Sequence, residues 1–337
     1  MFALTQCYHA SSPIVKAPRV PFAFGPGMCY KRTMLPDLKT MLIVNPRAGG
    51  GRGRKVFAWA RGILGEGIRH LETRISEYAG HVFEIGREAA KSGYERILSI
   101  GGDGTPFEIV NGLYAEGRPQ HAVELGMIPA GTGNSFLRDF SEPSWRQAVE
   151  NILGGRRRRV DLVEISYDRG RRQVRQYYLN ILGVGLIADI LKLTNERLKG
   201  FGRFSYGLAV MLRLARGMHN RMRITADGET LEIADSALVV SNSKFTGGGM
   251  KIAPMADTGD GRVDMVIFQE VGRRDILNIF ARVFQGTHVD HPKVKSWRAA
   301  AVTIDSEPQE MLMADGELLG RTPLRLKVLP GELAVMA

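Results

Sequence analysis

A chain of 337 residues with 44% hydrophobic and 24% charged side chains has the composition of about two globular domains, which excludes wholesale disorder. The only cysteines, Cys7 and Cys29, cannot brace the body of the protein; the longest apolar run, Ile181 to Ala188, is far short of the roughly 20 residues of a membrane span; no basic-then-apolar leader opens the sequence; and a reducing, cytoplasmic setting is expected. The excess of 46 Lys and Arg over 35 Asp and Glu, +11 in all, asks for a negatively charged partner: nucleic acid, nucleotide phosphates or an anionic membrane surface.

Residues 1–38 carry Ser11, Ser12, Pro13, Pro18, Pro21, Gly25, Pro26 and Gly27 without a sustained period and read as a flexible extension. Met41, Leu42, Ile43 and Val44 then form an all-apolar run ending at Asn45-Pro46, the pattern of a buried parallel strand. A glycine-rich turn (Ala48 to Gly53) follows, and Val56, Phe57, Ala60, Ile63 and Leu64 repeat at helical spacing. The unit recurs with Ile97, Leu98 and Ile100, the turn Gly101-Gly102-Asp103-Gly104-Thr105, and a helix face of Ile109, Val110 and Leu113. A third begins at Leu125, Met127 and Ile128, turns at Gly131-Thr132-Gly133-Asn134 and runs into Phe136 and Leu137. Alternating strands and helices of this kind predict a doubly wound α/β domain over 39–157, with its site in the crevice at the strand C-termini.

Texture changes after Gly154-Gly155 and the run Arg156 to Arg159. Strand-like segments follow at Val160 to Ser166, Gln176 to Leu182, Met222 to Ala226, Leu231 to Ile233, Ala237 to Ser241, Val263 to Phe268, Ala301 to Ile304, Met311 to Met313 and Leu324 to Val328. Asp227-Gly228, Asp260-Gly261 and Asp315-Gly316 punctuate them as turns, which predicts a largely antiparallel, sandwich-like second domain over 158–320. Helices are expected at Ile187 to Leu198, Tyr206 to Arg216 and Arg274 to Phe284.

The glycines carry the first chemical signal. A backbone without Cβ can approach a phosphate closely and aim its N–H groups at the oxygens, and three such loops at one crevice suggest a nucleotide triphosphate. None fits the Walker pattern or a GxGxxG turn followed by a ribose-binding acid.

Asn45-Pro46-Arg47-Ala48-Gly49, then Gly101 to Thr105 with Glu108 and Asn111-Gly112, then Pro129-Ala130-Gly131-Thr132-Gly133-Asn134 resemble the ordered signature of the diacylglycerol kinase catalytic-domain family, which includes bacterial lipid kinases and sphingosine kinases. The resemblance continues through Ala253-Pro254 with Asp260-Gly261, His291-Pro292-Lys293-Val294 and Asp315-Gly316-Glu317, covering roughly residues 40–330. GGDGT alone is shared with NAD kinases and phosphofructokinase-like enzymes; the ordered set is far more specific.

The resemblance implies an ATP-dependent lipid kinase with a nucleotide-binding domain, a β-rich lipid-binding domain, and a last segment, 321–337, that returns to the first domain. ATP contacts map to Asn45, Pro46, Arg47, Ala48, Gly49, Ser76, Gly101, Gly102, Asp103, Gly104, Thr105, Pro106, Phe107 and Thr132. Asp103, an acid in a loop that otherwise binds anions, is assigned to a phosphate-bound Mg²⁺. Asp315 matches the family's proton acceptor, with a plain hairpin turn as the alternative. A structural Mg²⁺ maps to Asp260 with Asp257 and Arg262, main-chain carbonyls serving at the latter two. Phe107 departs from the family's usual asparagine and puts a nucleotide or hydroxyl contact in doubt; Pro106 before it is expected at the first helical position.

Basic residues Arg197, Lys199, Arg203, Arg213, Arg216, Arg221 and Arg223, interleaved with Phe201, Phe204, Tyr206, Met211 and Leu212, suggest peripheral docking on an anionic membrane. Arg156 to Arg159 divide evenly between that role and a solvated face. No nucleic-acid reading motif accompanies the charge, and the histidines show no metal spacing. A homo-oligomer is left open. The rivals to a lipid kinase are a soluble-substrate kinase of the NAD kinase type and a weakly active lipid-binding sensor.

Overall fold

Three strands, each built on an apolar run, set the first half of the architecture. In the computed structural model, which describes residues 35–141, 143–170, 172–190 and 220–336, they are β1 (Thr40–Val44), β3 (Arg96–Gly101) and β4 (Glu124–Pro129). With β2 (Leu71–Ile75) they form a parallel sheet in the order β2-β1-β3-β4. Helices cover both faces, which is why these strands carry no polar alternation. On one side α2 (His81–Lys91) and α3 (Gly104–Leu113) bury Val82, Ile85, Ile109 and Val110 against Ile97 and Leu125. On the other, α1 (Ala48–Gly67) and α4 (Trp145–Leu153) bury Val56, Ala60, Leu64 and Ile152 against Leu98 and Ile128.

The chain then becomes antiparallel. β5 (Arg158–Arg169) and β6 (Arg172–Tyr178) form a hairpin, and β8 (Arg221–Ala226), β9 (Glu229–Ala234), β13 (Ala301–Glu307) and β16 (Leu324–Met336) extend the same sheet. A second sheet runs β12-β11-β10-β7-β14-β15, built from β7 (Ile181–Val184), β10 (Ser236–Ser241), β11 (Val263–Gln269), β12 (Val294–Ala299), β14 (Met311–Ala314) and β15 (Glu317–Arg321). Val163, Ile165, Tyr178, Leu182, Leu238 and Leu326 close the core between the two sheets. The far face of the second sheet is covered by α5 (Arg273–Val283), through Ile279 and Val283 against Phe268 and Ile252. The fold is therefore a parallel α/β domain followed by an antiparallel β-sandwich.

One strand belongs to both halves. β16 pairs antiparallel with β13 through Leu324 to Lys327, shifts register between Leu329 and Leu333, and ends with Ala334, Val335 and Met336 parallel to β4. The parallel sheet of the first half and the first sandwich sheet are thus continuous.

The expected strand Gln176 to Leu182 is two strands in different sheets, broken at Leu179 and Asn180, whose backbone N–H groups turn to the Asp315 carboxylate. The expected helix at Arg274 to Phe284 is α5; that at Tyr206 to Arg216 lies outside the described residues, and that at Ile187 to Leu198 is described only to Ile190, where the chain is helical. Residues 1–34, with Cys7 and Cys29, also lie outside them, as do Arg197, Lys199, Arg203, Arg213, Arg216, Phe201, Phe204, Tyr206, Met211 and Leu212. No helix among the described residues is long and apolar enough to cross a membrane.

Candidate active site

The three glycine loops follow β1, β3 and β4 at their C-terminal ends, and they touch. Gly49, Gly50 and Gly51 are left-handed, with φ of 57°, 67° and 96°, before α1 takes up regular geometry. A Cβ on Gly49 would sit 2.2 Å from the Ala130 carbonyl oxygen, and one on Gly131 would sit 2.4 Å from Gly102 Cα, so the first and second loops both pack backbone-to-backbone on the third. Arg52 Nη1 donates to the Gly131 carbonyl at 3.3 Å. Asn45 turns its chain by accepting the Arg47 N–H at 3.1 Å, and its amide reaches Thr105 Oγ1 at 3.5 Å. Ser76 extends the β2 pairing by donating its N–H to the Val44 carbonyl, while Arg47 and Thr132 stand exposed at the rim. Consecutive left-handed glycines at a strand-to-helix turn form a concave set of N–H donors, an arrangement suited to phosphate oxygens.

Asp103 reaches into the third loop, where Oδ1 accepts the Ser135 N–H at 2.6 Å ahead of a 3₁₀ turn, Phe136–Asp139. Burial raises its carboxyl above the ordinary value, and the loop N–H groups oppose that rise. Its oxygens also take hydrogen bonds from the Asn134 and Phe136 N–H groups and the Ser135 side chain, so it could meet a divalent ion carried on nucleotide phosphates only by giving up some of them; Mg²⁺ needs only one or two protein carboxylates beside the phosphates and water. Pro106 is the third residue of α3, still within the turn whose N–H groups lack helical acceptors. Phe107 faces away from the loops: its ring is 5% exposed and belongs to the sandwich core, so only its backbone adjoins the crevice.

The opposite wall comes from the sandwich. Asp315 and Gly316 form the β14–β15 turn, with φ of 48° and 94°. The turn does more than reverse the chain. The Asp315 carboxylate is 7% exposed and accepts N–H bonds from Leu179 (2.9 Å), Asn180 (3.0 Å) and Ile181 (2.9 Å). Burial lifts its pKa to about 7 against the pull of those donors, with the Asp103 charge adding to the rise. Glu317, two residues on, turns toward the second loop: a Cβ on Gly104 would lie 3.3 Å from Glu317 Oε1. Desolvation raises its carboxyl although the residue as a whole is exposed; burial, with a smaller contribution from the Glu317 charge, raises that of Glu108, whose Oε2 accepts the Phe83 N–H at 3.3 Å. A proton acceptor needs a lone pair open to substrate. Asp315 spends three of its roughly four acceptor positions on backbone N–H groups, whereas Glu317 faces the glycine loops; the Asp-Gly-Glu triplet thus places two carboxylates at this turn.

Asp257, Asp260 and Arg262 form a loop that holds itself together. Asp257 Oδ1 accepts the Gly259 N–H and Asp260 Oδ1 the Arg262 N–H, both at 3.0 Å. Asp260 Oδ2 pairs with Arg298, whose Nε lies 3.1 Å from Asp264 Oδ1, and the Arg262 guanidinium lies 3.9 Å from Asp227. No group of three or more acidic, His or Cys side chains among the described residues could hold a metal. The expected structural Mg²⁺ would draw on one carboxylate and two main-chain carbonyls, and that carboxylate, Asp260, pairs with Arg298 in this structure. Asp161, buried and passed over in the sequence, secures this loop instead: it accepts the N–H of Gly261 at 2.6 Å and of Gly331 at 2.7 Å.

Backbone groups of the sandwich also reach the third loop and the 3₁₀ turn after it. Lys244 N–H donates to Asp139 at 3.0 Å, and Gly248 N–H to Ser135 Oγ at 3.4 Å. Arg156 to Arg158 are engaged within the chain, with Asn151, with Glu124 and over the Phe140 ring respectively. His288 is buried against the Ile252 carbonyl at 3.0 Å.

Comparison with known proteins agrees with this geometry. Residues 39–165 match the diacylglycerol kinase catalytic domain, and residues 180–337 match the YegS C-terminal NAD kinase beta sandwich-like domain. The chain is 28% identical to a diacylglycerol kinase of Mycobacterium tuberculosis over 305 residues, covering 88% of this chain and 94% of that one. It is 30% identical to a diacylglycerol kinase of Staphylococcus carnosus over 250 residues, covering 74% and 78%. The crystal structure of a Bacillus anthracis diacylglycerol kinase shares the fold with a TM-score of 0.67 at 22% identity, covering 90% of this chain and 97% of the other. With the three glycine loops, the Asp-Gly-Glu turn and the sandwich in the family's order, the chain belongs to the diacylglycerol kinase catalytic-domain family of lipid kinases.

Proposed function

We propose that the protein transfers the γ-phosphate of ATP to the hydroxyl of a membrane lipid of the diacylglycerol class. The observation that carries this reading is the approach of Glu317 to Gly104, which sets a carboxylate from the sandwich against the loop expected to hold the terminal phosphates. The glycine loops and α3's N-terminus bind and orient the phosphates. A divalent ion arriving with the nucleotide would be held by Asp103 and would neutralise charge on the phosphate oxygens. As the acceptor oxygen bonds to the γ-phosphorus, the bond to the bridging oxygen breaks, ADP leaves, and the hydroxyl proton passes to Glu317. Asp315 keeps Glu317 in place by gripping Leu179, Asn180 and Ile181, and its loss acts through that geometry. The lipid is reached from an anionic membrane surface to which the protein docks peripherally, consistent with the charge of +11.

The test is transfer of labelled γ-phosphate to a panel of detergent-dispersed lipids, with NAD in detergent-free buffer beside it. A labelled diacylglycerol-class lipid supports the reading. Labelled NAD alone would place the protein with soluble-substrate kinases, and liposome binding without any transfer would make it a lipid sensor.

A further inference from the structure

The helix that begins at the GGDGT loop is fastened to the other half of the protein by two residues one turn apart. Phe107 enters the sandwich core, in the cluster that holds Tyr178 and Leu182. Asn111 is 5% exposed and pairs with a single β6 residue in both directions: its Nδ2 donates to the Tyr177 carbonyl at 2.8 Å and its Oδ1 accepts the Tyr177 N–H at 2.9 Å. The same Nδ2 also donates to the Phe107 carbonyl at 2.9 Å. Two residues beyond Tyr177, the backbone enters the grip of Asp315, and Glu317 returns from that turn to Gly104, the first residue of α3.

These contacts close a loop through the protein: Gly104, α3, Asn111, Tyr177, Leu179 to Ile181, Asp315, Glu317 and back to Gly104. We propose that Phe107 and Asn111 are positioning residues that latch α3 onto β6 and so fix the separation between the phosphate-binding loop and Glu317. Phe107 is then an apolar anchor in place of the asparagine expected from the resemblance, and the joint it makes does not hinge. Neither side chain faces the phosphate-binding loops; each acts through the placement of α3. The catalytic part of this inference rests on the lipid kinase reading, whereas the latch itself has a structural readout of its own.

The experiment compares wild type with Phe107→Asn, Phe107→Leu, Asn111→Ala and Asn111→Asp. It measures kcat for lipid phosphorylation, the equilibrium dissociation constant of ATP, and hydrogen exchange at Leu179 to Ile181. A displacement near 1 Å at a reacting centre costs up to about 100-fold in rate, so Phe107→Asn and Asn111→Ala are expected to lower kcat at least about tenfold while ATP affinity stays within about threefold. Phe107→Leu, which keeps the anchor apolar, should recover most of the rate. Exchange at Leu179 to Ile181 should quicken in Asn111→Ala and, to a lesser degree, in Asn111→Asp.

A gain in ATP affinity or kcat in Phe107→Asn would overturn the latch in favour of a lost nucleotide contact. So would a fall in kcat matched by an equal fall in ATP affinity. Unchanged exchange in both Asn111 variants would overturn it independently of activity, and either variant that fails to fold leaves its conservative partner to decide. A wild type that labels no lipid would instead count against the kinase reading, with the exchange data still deciding the latch.

Discussion

Asp315→Asn separates the two forces that act on the buried turn. In the wild type, two carboxylate oxygens accept three backbone N–H groups at 2.9–3.0 Å. An amide keeps one oxygen for Asn180 and Ile181 and turns its own NH₂ toward the Leu179 N–H, setting two donors face to face; a bond lost in this way costs about 1–3 kcal/mol at any pH. The charge adds a pH-dependent part. Burial raises the carboxyl from 3.8 to about 7, so the folded protein holds a proton that the unfolded chain has released. Stability from this group is complete below about pH 4 and is lost as the pH rises through about 7, a loss of roughly 3 kcal/mol between pH 5 and pH 8 at 1.36 kcal/mol per unit.

The asparagine variant lacks that slope. Asp139 and Asp264, each raised to about 6 by burial, tilt both proteins in the same sense, so the difference between the two profiles is the quantity to read. Urea unfolding at pH 5 and pH 8 should show the variant losing most, relative to wild type, at pH 5. Parallel profiles would refute the reasoning and show that the three N–H donors outweigh desolvation and keep Asp315 ionised.

Three further outcomes follow from the geometry. Gly49→Ala and Gly50→Ala share a left-handed strain of about 1–2 kcal/mol, but only the first drives a Cβ into the third loop; equilibrium ATP binding should weaken by about tenfold or more in Gly49→Ala and by less than about fivefold in Gly50→Ala. Because Asp260 is already paired with Arg298, EDTA should leave the unfolding midpoint of the nucleotide-free protein within about 1 °C, and a marked rise on adding Mg²⁺ alone would reveal a resident ion. Asp161→Asn can keep only part of the pairing to Gly261 and Gly331, and denaturant unfolding should show a loss of roughly 1–3 kcal/mol.

Much of this was legible in the sequence because two signals there are strong. Buried parallel strands announce themselves as mostly apolar runs, and β1, β3 and β4 are such runs, each leading within a few residues into its glycines. β2, with Leu71-Glu72-Thr73-Arg74-Ile75 at a sheet edge, has no run to find, and β12 and β15 are likewise polar and partly exposed. The break between β6 and β7 was hidden because Gln176 to Leu182 reads as one stretch of strand formers interrupted only by Asn180; what divides it is the Asp315 carboxylate, a residue far away in the chain. The site was legible in its loops and not in its latch. Phe107 looks in the sequence like a missing amide, whereas its ring lies in the sandwich core, and Asn111 looks like a motif residue without a partner because Tyr177 lies 66 residues further along the chain.

The most direct test of the site is phosphate transfer by wild type and Glu317→Gln to detergent-dispersed diacylglycerol, with ATP binding measured on both. The glutamine keeps size and polarity but cannot accept the hydroxyl proton, so kcat should fall about 100-fold or more while ATP affinity is retained. Near wild-type transfer by Glu317→Gln would contradict the assignment of the proton acceptor and return that role to Asp315.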